Sequence, residues 1–145
     1  MRTVTTENQD YLRAWVCNEL QGEMPTDLQC IGQLIDGELQ AVASFSHFVG
    51  KSCNFSLVGK GNFMNKDFLW AMFDYPFNRL KLKVILATIE GGNEKSLNLS
   101  RKLGFKEVAN IADAHKDGDL VIMVLRREDC KWLNLNAPLK KALGA

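Results

Sequence analysis

Several features are scarce in this sequence, and each shortage excludes a class of protein. No apolar run approaches the ~20 residues that a helix needs to cross a bilayer, and Met1-Arg2-Thr3 does not open a signal peptide. Neither sign of charge is in excess, because Lys and Arg total 18 while Asp and Glu total 17. No overall electrostatic field would therefore recruit nucleic acid or an anionic membrane. We expect a cytoplasmic protein with no nucleic-acid or membrane partner.

Cysteine and histidine are few and scattered. The four cysteines are Cys17, Cys30, Cys53 and Cys130. They form no C-x-x-C pair, and neither His47 nor His115 lies near a pair of cysteines. This pattern is typical of reduced, mostly buried thiols in a cytosolic protein, and it lacks the clustered ligands of a zinc site. We expect no metal.

The remaining composition is that of a folded domain. Apolar residues make up 46% of the chain and charged residues 24%, which are globular values. A chain of 145 residues suits one domain that buries roughly two thirds of its unfolded surface. We assign residues 1–133 to that domain and residues 134–145 to a C-terminal tail, frayed or weakly helical.

The most informative segment is 84–105, VILATIEGGNEKSLNLSRKLGF. It opens with a short run of branched apolar residues, which predicts a buried strand. The glycine pair at 91–92 indicates a turn, and Asn93 is placed to cap the amphipathic helix that follows. Gly104 comes after a basic last turn and ends that helix, and Phe105 begins another strand. The segment therefore predicts a strand, a capped helix and a second strand.

Patterns elsewhere predict the other elements. Apolar spacing of three to four residues predicts a helix over 9–20. Asp36-Gly37 suits a type I′ turn within a hairpin over 28–48, and residues 53–58 read as a fourth strand. A helical stripe covers 66–80, where Pro76 predicts a kink near residues 72–75. Strands are predicted over 106–111 and 120–125, joined by a loop that contains Asp117-Gly118.

The segment 84–105 resembles the C-terminal half of the GNAT superfamily, the acyl-CoA-dependent N-acetyltransferases. The resemblance rests on the strand ending before Asn93, on Ser96 in N-x-x-S spacing, and on Leu103-Gly104-Phe105. It implies an α/β (α+β) GNAT fold, a mixed and mostly antiparallel twisted sheet of six to seven strands flanked by helices. It further implies that the fourth and fifth strands are parallel and splay apart around acetyl-CoA.

The same resemblance implies where CoA binds. Strand four would offer its backbone to the pantetheine and the acetyl carbonyl, and the loop before the second helix would hold the pyrophosphate. A polar loop that leads into a helix N-terminus is also a physical anion site. By position, the family's small loop residues are replaced here by Phe63 and Asn65, and Lys60 takes the Q/R position. The implied cofactor residues are Ser56, Leu57, Val58, Lys60, Gly61, Asn62, Phe63, Met64, Asn65, Asn93 and Ser96.

Three residues are candidates for the proton transfers of acetyl transfer to an amine. Glu90 ends the fifth strand beside the expected cleft and is the first candidate for the base. His47 is the second, because imidazole titrates near neutral pH. Ser100 stands where the family often has a tyrosine acid, and it is a poor acid. Each residue also suits a purely structural role.

The segments FLWAMFDYPFN (68–78) and DGDLVIMVLRREDCKWL (117–133) resemble those of short GNAT-like proteins encoded by bacteriophages. That resemblance covers roughly residues 36–133 and implies action in the host cytoplasm. The main interpretation is transfer from acetyl-CoA to a primary amine of a small molecule or a protein. The altered loop and missing tyrosine favour an alternative, a weak or inactive GNAT-fold protein that binds CoA or a host protein. A third possibility is a structural virion or inhibitor protein. A homodimer is also expected from the family.

Overall fold

The computed structural model describes residues 1–20 and 25–135. The strands are β1 (Arg2–Thr5), β2 (Gln29–Ile35), β3 (Glu38–Val49), β4 (Ser52–Gly59), β5 (Val84–Glu90), β6 (Lys106–His115) and β7 (Gly118–Arg126). The helices are α1 (Gln9–Leu20), α2 (Lys66–Asp74) and α3 (Glu94–Leu103). Two 3₁₀ turns, Arg127–Asp129 and Lys131–Asn134, follow β7. Apart from residues 134 and 135, the predicted tail lies outside the described residues.

All seven strands join one sheet in the order β1-β2-β3-β4-β5-β7-β6. Every neighbouring pair is antiparallel except β4 and β5, which are parallel. This arrangement confirms the predicted mixed, mostly antiparallel sheet flanked by helices.

The β2–β3 hairpin turns where the sequence predicts. Asp36 and Gly37 have φ values of 52° and 84°, and positive φ at both central residues is what a type I′ turn requires. Such a turn matches the right-handed twist of the two strands. The prediction is confirmed.

Pro76 reshapes the second helix at the predicted place. The α-helix ends at Asp74, and a π-helical turn follows over Tyr75–Arg79. Proline has no N–H for an α-helical bond, and the Leu80 N–H instead reaches back to the Tyr75 carbonyl at 3.0 Å. The widened turn holds the buried Asp74 carboxylate against Asn78 and Arg79.

The core lies on both faces of the sheet. The larger cluster packs α2 and α3 against the sheet and is rich in aromatic rings, among them Phe45, Phe55, Phe73 and Phe105. The smaller cluster lies under α1. Burying each large apolar side chain contributes about 1.5–3 kcal/mol, so the larger cluster is the main source of stability and the support for β4 and β5.

Both strands of the β6–β7 hairpin extend beyond their predicted bounds, and β7 already begins at Gly118, which was predicted to lie in the loop. β6 continues to His115, four residues beyond the predicted end, and turns at residues 116–117 into β7. Its residues are mostly exposed, so they carry no apolar alternation for sequence reasoning to detect. Pairing with β7, including two irregularities in register, keeps the segment extended.

Candidate functional site

The site is a gap in the middle of the sheet, between β4 and β5. Their parallel pairing covers only Ser52↔Val84, Cys53↔Ile85 and Asn54↔Leu86. Beyond it, β4 continues to Gly59 paired with β3, and β5 continues to Glu90 paired with β7. Each strand is held by its outer neighbour, so the gap stays open. The prediction that the fourth and fifth strands are parallel and splay apart is confirmed.

The register of β4 determines which backbone groups face this gap. Gln40 accepts a hydrogen bond from the Lys60 N–H at 2.8 Å, in line with the Ser44↔Ser56 and Val42↔Val58 pairs of the same ladder. Alternate residues of a strand direct their N–H and C=O to the same side. The backbones of residues 56 and 58 therefore point to β3, and that of Leu57 points into the gap. Leu57 thus offers an unpaired N–H and C=O there.

A narrow cavity of about 70 Å³ occupies the gap. Its β4 wall includes Ser56 and Leu57, its β5 wall includes Thr88, and α3 contributes Ser96 and Ser100. We call this cavity the cleft. Four hydroxyl-bearing residues and an open strand edge therefore surround a slot that admits an extended chain.

A wider groove of about 530 Å³ continues from the cleft between α3 and the loop before α2. The cleft and this groove share Leu99 and Leu103. The groove is lined by Gly61, Asn62, Phe63, Met64, Leu69, Lys95, Asn98, Leu99, Lys102, Leu103 and Trp132. Its lining is mostly apolar, with two lysines from α3.

The loop over residues 60–65 is held against the sheet. Phe63 packs on Gly59 and meets Phe68 edge-on, and its carbonyl accepts from Gln33. Asn65 caps α2 by accepting from the Phe68 N–H at 2.9 Å. Because the first N–H groups of a helix have no intrahelical partner, those of Lys66 and Asp67 point outward from the end of α2. That end carries a partial positive charge.

Lys60 lies away from this groove. Its ammonium is 2.8 Å from the Glu19 carboxylate and 5.7 Å from the centre of the Trp15 ring, both on α1. Side chains alternate along β4, so residues 56, 58 and 60 share the α1 face, whereas Gly59 faces Phe63 on the other. Val58 packs with the cluster under α1.

At its other end the cleft opens into a vestibule of about 480 Å³, which shares Thr88 and Ile89 with it. Glu90 and Asn93 line this space together with His115 and Asp117. Glu90 is half-buried and lies close over glycine backbone, since a Cβ added to Gly118 would be 2.9 Å from its Oε1. The vestibule therefore places two carboxylates and an imidazole beside the end of β5.

The structure brings most of the predicted residues around these three spaces. Ser56, Leu57, Ser96 and Ser100 line the cleft, and Glu90 and Asn93 line the vestibule. Asn93 also caps α3, because its Oδ1 accepts from the Ser96 N–H at 3.2 Å. Gly61, Asn62, Phe63 and Met64 line the groove, and Asn65 caps the helix beside it.

His47 is not part of this arrangement. It is exposed near the β3–β4 turn, at the end of β4 where pairing with β5 is intact, and its Nδ1 is 3.0 Å from Ser46 Oγ. His115, by contrast, lies in the vestibule and accepts from the Asp117 N–H at 3.3 Å.

Sequence reasoning missed seven groove residues, and the three that bear a charge or an aromatic ring are Lys95, Lys102 and Trp132. Lys95 and Lys102 are seven residues apart on an amphipathic helix, a spacing that places both on one side. The sequence alone could therefore have placed the two lysines on one side of α3. Trp132 arrives by a long-range contact, its indole N–H donating to the Leu103 carbonyl at 2.8 Å, and no local pattern indicates it.

Two further features are absent from residues 1–20 and 25–135. Within these ranges, no cluster of three or more His, Cys, Asp or Glu residues is placed to bind a metal ion. None of the helices there has both the length and the apolar character that crossing a membrane requires.

Comparison with known proteins identifies the fold. No protein-family model matches the sequence, and no curated protein matches it. A mutant of the spermidine N-acetyltransferase SpeG from Vibrio cholerae superposes with a TM-score of 0.68 at 14% identity, over 92% of this chain and 96% of that one. The protein yncA from Salmonella typhimurium, in a structure with its cofactor acetyl-CoA, gives 0.66 at 17% identity over 86% and 93%.

The ribosomal-protein-S18-alanine N-acetyltransferase from Escherichia coli gives a TM-score of 0.65 at 15% identity, over 87% of this chain and 94% of that one. These structural neighbours are GNAT-superfamily N-acetyltransferases. At such identities the likeness establishes a shared fold.

Proposed function

We propose that this protein is an acyl-CoA-dependent N-acetyltransferase that transfers an acetyl group from acetyl-CoA to a primary amine. The observation that carries the proposal is the gap between β4 and β5, where the backbone of Leu57 is unpaired. The groove, the cleft and the vestibule follow one another along this gap, and each shares lining residues with the next. A reaction between a long thioester and an amine that enters from the opposite end needs such an arrangement.

The residues present fit acetyl-CoA. The pantetheine arm carries amide groups on an extended chain, and the open edge at Leu57 can pair with them as a neighbouring strand would. The cleft is narrow, and its walls mix apolar side chains with hydroxyls. At the groove end, the outward N–H groups of Lys66 and Asp67 suit the pyrophosphate. Asn93 and Ser96 lie where the thioester end would be.

The acid–base residues follow from the same placement. Glu90, at the mouth of the vestibule, accepts the proton that an incoming ammonium must lose before it attacks. The Leu57 N–H is placed to polarise the thioester carbonyl. Ser100, in the wall of the cleft, is the hydroxyl on α3 that can donate a hydrogen bond to the departing sulfur. Proton removal is thus assigned to β5 and hydrogen bonding to the leaving thiolate to α3, and the thiolate takes its proton from water once the C–S bond has broken.

The vestibule favours an amine that is protonated at neutral pH. Glu90 and Asp117 both line it, and carboxylates attract an ammonium ion as it approaches. Structural neighbours named as spermidine and ribosomal-protein N-acetyltransferases act on amines of small and large molecules respectively. Either class of acceptor is compatible with an open vestibule. A bacteriophage origin, a cytoplasmic location and a homodimer remain predictions.

A second candidate function is CoA binding, or binding of a host protein, with weak or no turnover. Two observations favour it. Lys60 is engaged with Glu19 and Trp15 on α1, and in the described part of the chain no tyrosine lines the cleft, groove or vestibule. On this view the fold retains the CoA cleft and lacks an efficient proton donor.

Calorimetric titration followed by an amine screen distinguishes the two functions. Acetyl-CoA and CoA should bind with a Kd near 1 μM, about −8 kcal/mol, and pantetheine much more weakly. Release of CoA thiol is then measured with polyamines, amino acids and N-terminal peptides. Glu90→Gln should lower kcat by about 10²–10⁴-fold, while Glu107→Gln, on the exposed edge strand, should not. CoA binding without any thiol release supports the second candidate, and no binding at millimolar CoA refutes both CoA-dependent functions.

A further inference from the structure

The wall of the groove includes a tryptophan that the chain holds in place. Trp132 lies in the 3₁₀ turn Lys131–Asn134, and its indole N–H donates to the carbonyl of Leu103 at 2.8 Å, at the C-terminal end of α3. The Lys131 ammonium is 4.7 Å from the centre of the ring. Because its one polar group is already bonded, the indole contributes only its aromatic surface to the groove.

Positive charge also borders the groove, along the length of α3. Lys95 and Lys102 line it from α3, and both side chains are exposed. Within the described residues neither takes part in an ion pair. Between them and Trp132 the groove floor is apolar, formed in part by Leu69 and Leu99. An occupant that matches these walls has a flat, apolar face and a separate anionic group.

We infer that Trp132 is the platform for the adenine ring of CoA and that Lys95 and Lys102 receive its 3′-phosphate. The inference rests on the proposed function for the identity of CoA. The two connected spaces set the orientation of CoA. The pantetheine lies in the cleft, and the groove continues from the cleft through the shared Leu99 and Leu103. The nucleotide end of the molecule must then lie in the groove, which Trp132 and the two lysines line.

The fixed ring suits this role on energetic grounds. Stacking of a base on an aromatic side chain does not depend on which polar groups the base carries. An indole already ordered by a hydrogen bond loses little rotational freedom when the base arrives, so more of the stacking energy appears as affinity. Trp132 and the two lysines would thereby favour CoA over pantetheine-like thioesters that lack the nucleotide.

Two substitutions at Trp132 separate stacking from packing. Trp132→Leu keeps an apolar side chain and removes the aromatic face, whereas Trp132→Phe keeps an aromatic face and loses the N–H. We expect Trp132→Leu to weaken CoA binding by about tenfold or more, within the range for base stacking, and to leave pantetheine binding unchanged. Trp132→Phe should stay within about threefold of the wild type. Equal losses for CoA and pantetheine, or no loss for either, would overturn the inference.

The proposed contact with the 3′-phosphate is tested by comparing CoA with 3′-dephospho-CoA. Lys102→Gln should weaken CoA binding and leave 3′-dephospho-CoA binding unchanged, because the lost partner is the 3′-phosphate. Lys116→Gln, in the β6–β7 turn, is the matched control and should affect neither ligand. If Lys102→Gln weakens both ligands to the same degree, the assignment of the 3′-phosphate is wrong.

A direct readout needs neither catalysis nor an acceptor. Adenosine 3′,5′-bisphosphate should change the tryptophan fluorescence of the wild type and should leave that of Trp132→Phe unchanged, since Trp70 is buried and Trp15 lies on α1. If acetyl transfer proceeds and the bisphosphate leaves Trp132 emission unaltered, the inference fails and the proposed function stands. If no amine is acetylated and the fluorescence response is present, the proposed function fails and the nucleotide platform stands.

Discussion

The ring of Phe63 lies directly against the backbone of Gly59: a Cβ added at residue 59 would be 2.2 Å from Phe63 Cε1. No side chain fits between them, because real Cβ atoms do not approach that closely. This contact attaches the loop before α2 to the end of β4. It keeps the Phe63 ring on the sheet and leaves the neighbouring groove open.

Gly59→Ala should therefore destabilise the protein through that ring. We expect the free energy of unfolding to fall by about 1–3 kcal/mol, the usual cost of overpacking. In a Phe63→Ala background the same substitution should cost much less, because the obstructing ring is gone. Urea denaturation of the wild type, both single variants and the double variant measures the coupling. Additive effects of the two substitutions would show that the contact carries no strain.

Asn93 and Ser100 should contribute unequally to CoA binding. Asn93→Ala removes an amide beside the proposed position of the thioester, whereas Ser100→Ala removes a hydroxyl whose proposed role comes later in the reaction. We expect Asn93→Ala to weaken CoA binding by roughly fivefold more, about 1 kcal/mol for one hydrogen bond. Because Asn93 also caps α3, Asn93→Asp is the control that keeps a capping oxygen. Equal effects of the two alanine substitutions on the Kd would contradict the assignment.

Asp27 should make stability depend on pH. The Phe48 N–H donates to its Oδ2 at 3.0 Å, and this bond, helped by the His47 N–H, holds the pKa of Asp27 below its usual value. A lowered pKa means that the stabilisation is present above the unfolded pKa of about 3.9 and is lost as pH falls through the folded value. Urea midpoints of the wild type should therefore drop more steeply between about pH 5 and pH 3 than those of Asp27→Asn. Glu38→Gln is the control, and a difference independent of pH would refute the prediction.

Buried thiols should resist alkylation in the folded protein. Burial raises the pKa of Cys30 to about 11 and that of Cys53 to about 12, and it also raises the pKa of Cys130. Because the thiolate is the nucleophile, these groups are both inaccessible and unreactive at pH 8. Cys17 is half-buried and lines a cavity beside Ser56. Mass spectrometry after brief iodoacetamide treatment should find modification at Cys17 alone, and Cys17→Ser should abolish it.

Local signals in the sequence predicted much of the fold. The unit β5–α3 was predictable from the sequence because the helix cap at Asn93, the apolar spacing and the helix end at Gly104 all lie within one segment. The extra length of β6 was not, because it depends on pairing with β7 and leaves no apolar pattern. Pro76 shows an intermediate case, where the break was predictable and its π-helical form was not.

The site residues also divide into those that a local sequence pattern predicts and those whose position depends on the fold. Glu90, Asn93, Ser96 and Ser100 meet around the gap because one strand–helix unit carries them all. Lys60 was placed by counting along the chain, but the direction of its side chain depends on the register of β4, and that register turns it towards Glu19. Trp132 reaches the groove only through a contact 29 residues away in sequence. Such long-range placements are properties of the folded chain.

The short ladder between β4 and β5 also has a mechanical consequence. Among the described residues, the backbone hydrogen bonds between the β1–β4 half and the β5–β7 half are few. They are the ladder of the three pairs Ser52↔Val84, Cys53↔Ile85 and Asn54↔Leu86, and the bonds that the Lys51 carbonyl accepts from the N–H groups of Lys83 and Val84 at 2.8 and 3.2 Å. The shared core provides the rest of the cohesion. Under a pulling force, or in slow native-state hydrogen exchange, this is the line along which the sheet should part first. The opening that we propose as the acetyl-CoA site is therefore also the seam between two halves of the molecule.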